Sequence, residues 1–265
     1  MRKFTPYEIN QLIKFGFDPF ELASEVDANI PVEYITGKAE FRGEIYEVSK
    51  DVLIPRVETE GIINIALNKI EDRSRKYEKI TFADVGTGSG AIGISFALEL
   101  EKLIIPYNCY LSDKSQKALD VARKNVEEML VKRKVNCFTY QKEESSVKIV
   151  ESDLLSNYPK KIQFDVIFAN LPYIPSSRID TLDSSVKDYE PMIALDGGTD
   201  GLKFIRELLQ QAELKLANHG IILLEVDDNH DEEFLKSQES ILHKFNTELK
   251  KDQFGRTRFW ICTLK

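Results

Sequence analysis

From about residue 78 onward the chain alternates short apolar runs with amphipathic stretches. Runs of strand length lie near 79–85, 108–113, 147–151, 164–169 and 220–226, and segments with helical apolar spacing lie near 89–101, 115–133, 200–217 and 230–244. Apolar strands separated by amphipathic helices predict an α/β domain built on a mostly parallel sheet covered on both faces. The tail departs from this rhythm. Residues 246–250 and 258–264 flank Asp252-Gln253-Phe254-Gly255-Arg256, which predicts an antiparallel hairpin at one sheet edge.

The first 30 residues carry a different pattern. Ile9, Leu12, Ile13, Phe15 and Phe17, then Phe20, Leu22 and Ala23, describe a small amphipathic helical cap without a core of its own. Ile30 to Gly37 and Glu40 to Val48 follow, and alternation on either side of Arg42-Gly43 predicts a β-hairpin. Val52 to Glu60 then leads into a helix containing Ile62, Ile63, Ile65, Ala66 and Leu67. The chain is thus expected to divide into a helical segment with a hairpin at 1–54 and an α/β domain at 55–265. There is no internal repeat.

Composition narrows the setting. The 265 residues allow one good core plus a small extra unit, and 42% hydrophobic with 30% charged residues describes a soluble globular protein. No apolar stretch reaches membrane-spanning length, and Met1 to Glu8 lacks the apolar core of a signal peptide. Cys109, Cys137 and Cys262 are odd in number and show no CxxC spacing, so they read as buried thiols. A cytoplasmic monomer that stays off membranes is the expectation.

A net charge of -8 disfavours nucleic acid, whose affinity rests on neutralising phosphates. The basic cluster Lys132-Arg133-Lys134 ends an amphipathic helix, where cations complement the dipole. His219, His230 and His243 lack ligand spacing, and Asp227 to Glu232 reads as a solvated helix start rather than a metal loop.

The chemistry is carried by strand ends. Ala83-Asp84-Val85 runs into Gly86-Thr87-Gly88-Ser89-Gly90, a turn that lets a ligand approach the backbone. Its GxGxG spacing fits neither the dinucleotide fingerprint nor the phosphate loop. Asp113 ends the second strand, where a carboxylate accepts from a ribose diol or caps the next helix. Asp153 and Leu154 end the third, placed for an adenine amino group and ring, with capping again the alternative for the aspartate. Asp84 either orients the turn or lies near the cofactor's amino group. An adenosine without phosphates fits best, and that points to S-adenosylmethionine.

Asn170-Leu171-Pro172-Tyr173 follows the apolar run 164–169. The corner offers a carboxamide, an exposed carbonyl and an aromatic face, which suit a planar amide or amino group better than a hydroxyl. Ser176 to Pro191 behind it reads as a loop or lid.

At this point the residues resemble a known family. DVGTGSGAIGIS, SDKSQKALDVARKN, FDVIFANLPYI and ALDGGTDGL, with PVEYITGKAEFRG and VLIPRVETE upstream, are similar to the HemK release-factor glutamine methyltransferases over about residues 30–265. The resemblance implies a seven-stranded class I methyltransferase fold with a small amino-terminal helical domain. It implies methylation of the glutamine amide in the Gly-Gly-Gln motif of peptide chain release factors. It puts Gly86 to Gly90, Asp113, Asp153, Leu154 and Asn170 on cofactor positions, and Asn170, Leu171, Pro172 and Tyr173 on the catalytic motif. The expected reaction is an in-line attack of the amide nitrogen on the sulfonium methyl, releasing S-adenosylhomocysteine. Two departures stand out: Leu171 replaces the family's usual first proline, and the amino-terminal portion, read as substrate-recognising, is shorter than usual. Alternatives are an adenine amino group in DNA or RNA, a ribosomal-protein glutamine, or a cofactor-binding module without activity.

Overall fold

Thr5 starts the first helix. Its hydroxyl accepts from the Glu8 amide at 3.3 Å while the Glu8 carboxylate accepts from the Thr5 amide at 2.7 Å, and Pro6 takes the first helical position. The structure is a computed structural model that describes residues 2–71, 79–132, 145–238 and 242–265. Helix α1 spans Pro6–Lys14, and α2, Pro19–Leu22, is capped by Asp18. The one-turn helix α3, Val32–Thr36, ends at Gly37 and leads into a hairpin of β1 (Lys38–Phe41) and β2 (Glu44–Glu47). Both turn residues, Arg42 and Gly43, have positive φ (50° and 74°), matching the twist of a two-residue hairpin turn.

The remaining elements in order are α4 (Glu60–Glu71), β3 (Ile80–Val85), α5 (Ala91–Lys102), β4 (Tyr107–Asp113) and α6 (Gln116–Val126). Then come β5 (Ser146–Glu151), β6 (Phe164–Ala169), α7 (Ser184–Lys187), α8 (Lys203–Ala212) and β7 (Leu216–Glu225). Helix α9 (Glu232–Lys236) and the strands β8 (Phe245–Lys251) and β9 (Thr257–Leu264) complete it.

Seven strands form one sheet in the order β5-β4-β3-β6-β7-β9-β8. The first five are parallel, and β9 pairs antiparallel with both β7 and β8. This is the class I methyltransferase fold. Each central strand buries both faces alternately. Phe82, Phe168, Leu223 and Ile261 join one core with Phe96 of α5, while Ala83, Ile167, Leu224 and Trp260 join another with Leu208 of α8. Two-sided burial is why these strands read as continuous apolar runs. The chain winds outward from β3 through β4 to β5, then returns to β6 on the other flank of β3, opening a crevice at the carboxyl ends where the order reverses.

The hairpin is built into this body. Phe41 and Tyr46 belong to the same core as Phe82, and the Tyr46 hydroxyl lies 2.6 Å from Ser95 Oγ. Asn125 ties the hairpin to the glycine turn, donating to the carbonyls of Glu47 at 3.0 Å and Ser89 at 2.8 Å.

Several expectations are adjusted. Strand β7 begins at Leu216, not 220, because a register irregularity between Phe164 and Val166 lets the polar, exposed Asn218-His219 pass through the strand and masks the apolar period. Helix α6 stops at Val126 and continues as a wider π-type turn over Glu127–Val131. Helix α8 is shorter than 200–217, since the preceding glycines are turned, and α9 covers only part of 230–244. Asp227 is not part of a solvated helix start: it is buried, and both its oxygens accept from Arg178 Nη1 at 2.8 Å. His230 is buried too, whereas Asp231 is exposed and caps Phe234 as expected. Of the amino-terminal apolar positions, Leu12 is buried but Ile13 and Phe20 are exposed. Cys109 and Cys262 are buried thiols, while Cys137, Arg133 and Lys134 lie outside the described residues. Among the described residues no helix is long and apolar enough to cross a membrane, and no cluster suits a metal ion.

Candidate active site

The glycine turn is held from beneath. Asp84 Oδ2, at the buried end of β3, accepts from the Thr87 hydroxyl at 2.6 Å and the Gly93 amide at 2.9 Å. That is the orienting role among the two readings of Asp84. Complete burial pushes its carboxyl up to about 6, against the lowering effect of Thr87 and Gly93. Gly86, Gly88 and Gly90 all have positive φ (70°, 54° and 86°), and at Gly88 an added Cβ would meet nothing within 4 Å. The turn therefore presents bare backbone to open space. Gly86, Thr87, Gly88 and Ser89 line the cavity above it, while Gly90 turns the chain into α5 with an added Cβ 2.8 Å from Ile94.

Asp113 joins the turn from β4. Its Oδ2 accepts from the Gly88 amide at 3.0 Å and its Oδ1 from the Ser115 amide at 2.8 Å. Burial raises its carboxyl, opposed by the amides of Ser115, Gly88 and Lys114. The helix cap is supplied by Ser115, whose hydroxyl accepts from the Ala118 amide at 3.3 Å, leaving Asp113 free lone pairs toward the cavity. Asp153 and Leu154 line the same cavity from the end of β5, where Asp153 pairs with Lys114 at 2.7 Å and Leu154 adopts a positive φ of 54°.

The Asn170 corner closes the opposite wall. Asn170, Leu171 and Pro172 line the cavity, and Leu171 lies over the turn: an added Cβ at Gly86 would stand 2.9 Å from Leu171 Cδ2. Tyr173 reaches inward, its hydroxyl donating to Glu225 Oε1 at 3.1 Å. Burial and the Glu225 carboxylate hold that hydroxyl well above its ordinary range. The motif ALDGGTDGL braces the corner from behind. An added Cβ at Gly197 would lie 2.6 Å from the Pro172 carbonyl oxygen, and at Gly201 2.1 Å from that of Tyr173. Only glycine permits this approach.

Sequence reading missed three contributors. Thr59 lines the cavity and donates to Glu225 Oε2 at 2.6 Å, Glu225 is buried at the end of β7, and Arg258 of β9 stands 3.9 Å from Glu225 Oε1. A carboxylate directly after the apolar run Ile221 to Leu224 was the available signal for Glu225. The segment read as a loop or lid contains short helical turns over Ser176–Thr181 and α7, and a further turn, Met192–Ala194, follows it. It is tied down by Arg56 to Glu190 and Arg178 to Asp227.

The donor set fits an adenosyl sulfonium. Asp51, Asp113 and Asp153 line the cavity, and its two lining cations, Arg56 and Lys114, are each engaged by a carboxylate. Such a cavity suits a cationic ligand with a diol and disfavours phosphates.

Comparison with known proteins finds methyltransferases. The family profile "Methyltransferase small domain" matches residues 65–183. A release factor glutamine methyltransferase of Bacillus cereus is 34% identical over 230 residues, 86% of this chain and 75% of that protein. One from Clostridium acetobutylicum is 36% identical over 86% of this chain and 72% of its own length. Among solved structures, the human methyltransferase 10 domain containing protein is 16% identical, with a TM-score of 0.52 over 83% of this chain and 88% of that one, a likeness of fold.

Proposed function

The chain belongs to the release factor glutamine methyltransferase family, and from that premise we propose that it methylates the side-chain amide of a protein glutamine, the one in the Gly-Gly-Gln motif of peptide chain release factors. The carrying observation is that Asn170, Leu171 and Pro172 line one cavity with Gly86 to Ser89, Asp113 and Asp153. Acceptor corner and cofactor wall thus face a common space.

When bound, S-adenosylmethionine supplies an electrophilic methyl group on a sulfonium. The backbone of Gly86 to Ser89 would bind its amino-acid portion, Asp113 the ribose hydroxyls, and Asp153 with Leu154 the adenine. Asn170 Oδ1 and the Leu171 carbonyl accept both N–H bonds of the incoming amide, orienting a delocalised nitrogen lone pair and stabilising the positive charge that grows there. Leu171 keeps the carbonyl that a proline would offer, so the acceptor is retained. Tyr173 does not itself line the cavity, and its ring would flank the amide plane only from behind the Asn170 corner. Segment 1–54 takes part in substrate recognition. Its exposed Tyr7, Ile13 and Phe20 give a protein partner apolar surface to cover. The setting is translation termination, in the cytoplasm, with the chain acting as a monomer.

The test is transfer of labelled methyl to a purified release factor beside its Gln-to-Ala variant. Label on the unaltered protein alone is the expected result. Label on neither, with cofactor bound, would reject this substrate and turn the search to ribosomal proteins.

A further inference from the structure

Ala169 pairs with Leu224, so Asn170 and Glu225 are the next residues on two neighbouring strands at the carboxyl edge. Between them stands Thr59, from the turn before α4. Three hydrogen bonds run in series. The Asn170 amide nitrogen Nδ2 donates to Thr59 Oγ1 at 3.4 Å, and the Thr59 hydroxyl donates to Glu225 Oε2 at 2.6 Å. On its other oxygen Glu225 accepts from the Tyr173 hydroxyl at 3.1 Å. Glu225 and Thr59 are 1% and 3% exposed, so water does not substitute for either partner.

With Glu225 ionised, the direction of this relay is set at its end. An ionised carboxylate only accepts, so the hydroxyls of Thr59 and Tyr173 must both point at Glu225. With its one proton spent, the Thr59 oxygen can serve Asn170 only as an acceptor. The Asn170 carboxamide must then turn its NH2 toward Thr59 and its oxygen away. A carboxamide is nearly symmetric in shape, so packing alone selects weakly between its two orientations, whereas this chain of donors does so directly.

We propose that Glu225 and Thr59 are positioning residues that set the orientation of the Asn170 carboxamide, fixing its oxygen as the acceptor presented to the substrate's N–H. The inference rests on the glutamine-amide reading above and goes beyond it by assigning the origin of that polarity. Glu225 touches neither substrate nor cofactor in this scheme. Burial pushes the Glu225 carboxyl up, while the Thr59 hydroxyl, Arg258 at 3.9 Å from Oε1 on the side away from Thr59, and the Tyr173 hydroxyl all oppose that rise and favour the ionised form.

Three variants of the full chain separate this role from a structural one. Thr59→Val removes the hydroxyl at constant volume, Thr59→Ser restores it, and Glu225→Gln keeps the shape but can present an NH2 to Thr59. With the release-factor substrate, T59V and E225Q should lower kcat on the order of a hundredfold, with cofactor affinity by calorimetry within about twofold of wild type, and T59S should recover most of the rate. Independently of turnover, the side-chain amide 15N–1H resonances of Asn170 should shift in T59V and E225Q and return in T59S. Should either variant fail to fold, the other and T59S still decide the matter. Wild-type kcat and unmoved Asn170 resonances in the folded variants overturn the inference. If wild-type protein transfers no methyl to glutamine, the functional reading fails, and the Asn170 resonances alone then judge the relay.

Discussion

Arg56 and Glu190 lie 134 positions apart, yet Arg56 Nη2 donates to both Glu190 oxygens at 2.6 Å. The pair joins the turn before α4 to the segment behind the Asn170 corner. Its two partners are unequal, for the Glu190 side chain is 1% exposed and that of Arg56 37%. Removing the arginine strands a buried carboxylate, while removing the carboxylate leaves an arginine that water can reach. Arg56→Ala should therefore cost about 2–3 kcal/mol and Glu190→Gln nearer 1 kcal/mol in denaturant unfolding. Burial already raises Glu190, and Arg56 opposes that rise, so R56A pushes its folded pKa higher still. The R56A penalty should then shrink as pH falls and Glu190 takes up a proton. A penalty independent of pH would mean the carboxylate is not the cause.

The glycines of the brace give a steric prediction. Gly201→Ala introduces a Cβ 2.1 Å from the Tyr173 carbonyl oxygen at a φ of +77°, so the corner must move. Methyl transfer should fall at least about tenfold, because an acceptor displaced by an ångström loses its alignment. Gly43→Ala is the control, with a φ of +74° and nothing within 4 Å. It should cost about 1 kcal/mol of stability through backbone conformation alone and leave turnover unchanged. Equal activity loss in both variants would point to a general loss of fold.

Asp113 should govern cofactor affinity. It accepts from the Gly88 and Ser115 amides and has lone pairs left for a diol. Asp113→Ala removes all of these, and calorimetry with S-adenosylhomocysteine should show affinity weakened by about tenfold or more. Asp113→Asn retains one acceptor oxygen and should lie between.

Asp84 predicts a pH signature in stability. Its carboxyl rises from 3.8 in the unfolded chain to about 6 in the fold, chiefly through burial. Between those values the native state binds more protons than the unfolded one, so stability contributed at this site falls as pH rises and stays lower above about 6. Asp84→Asn keeps a carbonyl for Thr87 and Gly93 but does not titrate. The stability of wild type relative to D84N should decline by about 3 kcal/mol across that window. A flat difference would exclude Asp84 as the titrating group.

The sheet was legible because burial on both faces makes its strands continuous apolar runs, and the tail hairpin because it breaks that rhythm. The glycine turn, Asp113 and the Asn170 corner were legible because each directly follows such a run. Strand β7 was misplaced at its start, since a bulged, solvent-facing stretch does not follow either period. Thr59, Glu225 and Arg258 escaped notice for another reason. Thr59 and Glu225 are 166 positions apart, and their meeting depends on sheet order, which no local pattern encodes. The acidic run beginning at Asp227 misled for the same reason, because its partner Arg178 comes from another loop.

The contact between Leu171 and the Gly86 turn has a consequence for how this protein can change by mutation. With an added Cβ at 86 standing 2.9 Å from Leu171 Cδ2, a side chain at 86 requires a smaller one at 171, besides a backbone that tolerates a φ of +70°. The two positions are therefore expected to be inherited as a pair. In a library randomised at both and selected for methyl transfer, survivors carrying a bulky 171 should retain glycine at 86, while departures from glycine should be confined to clones that have trimmed the leucine.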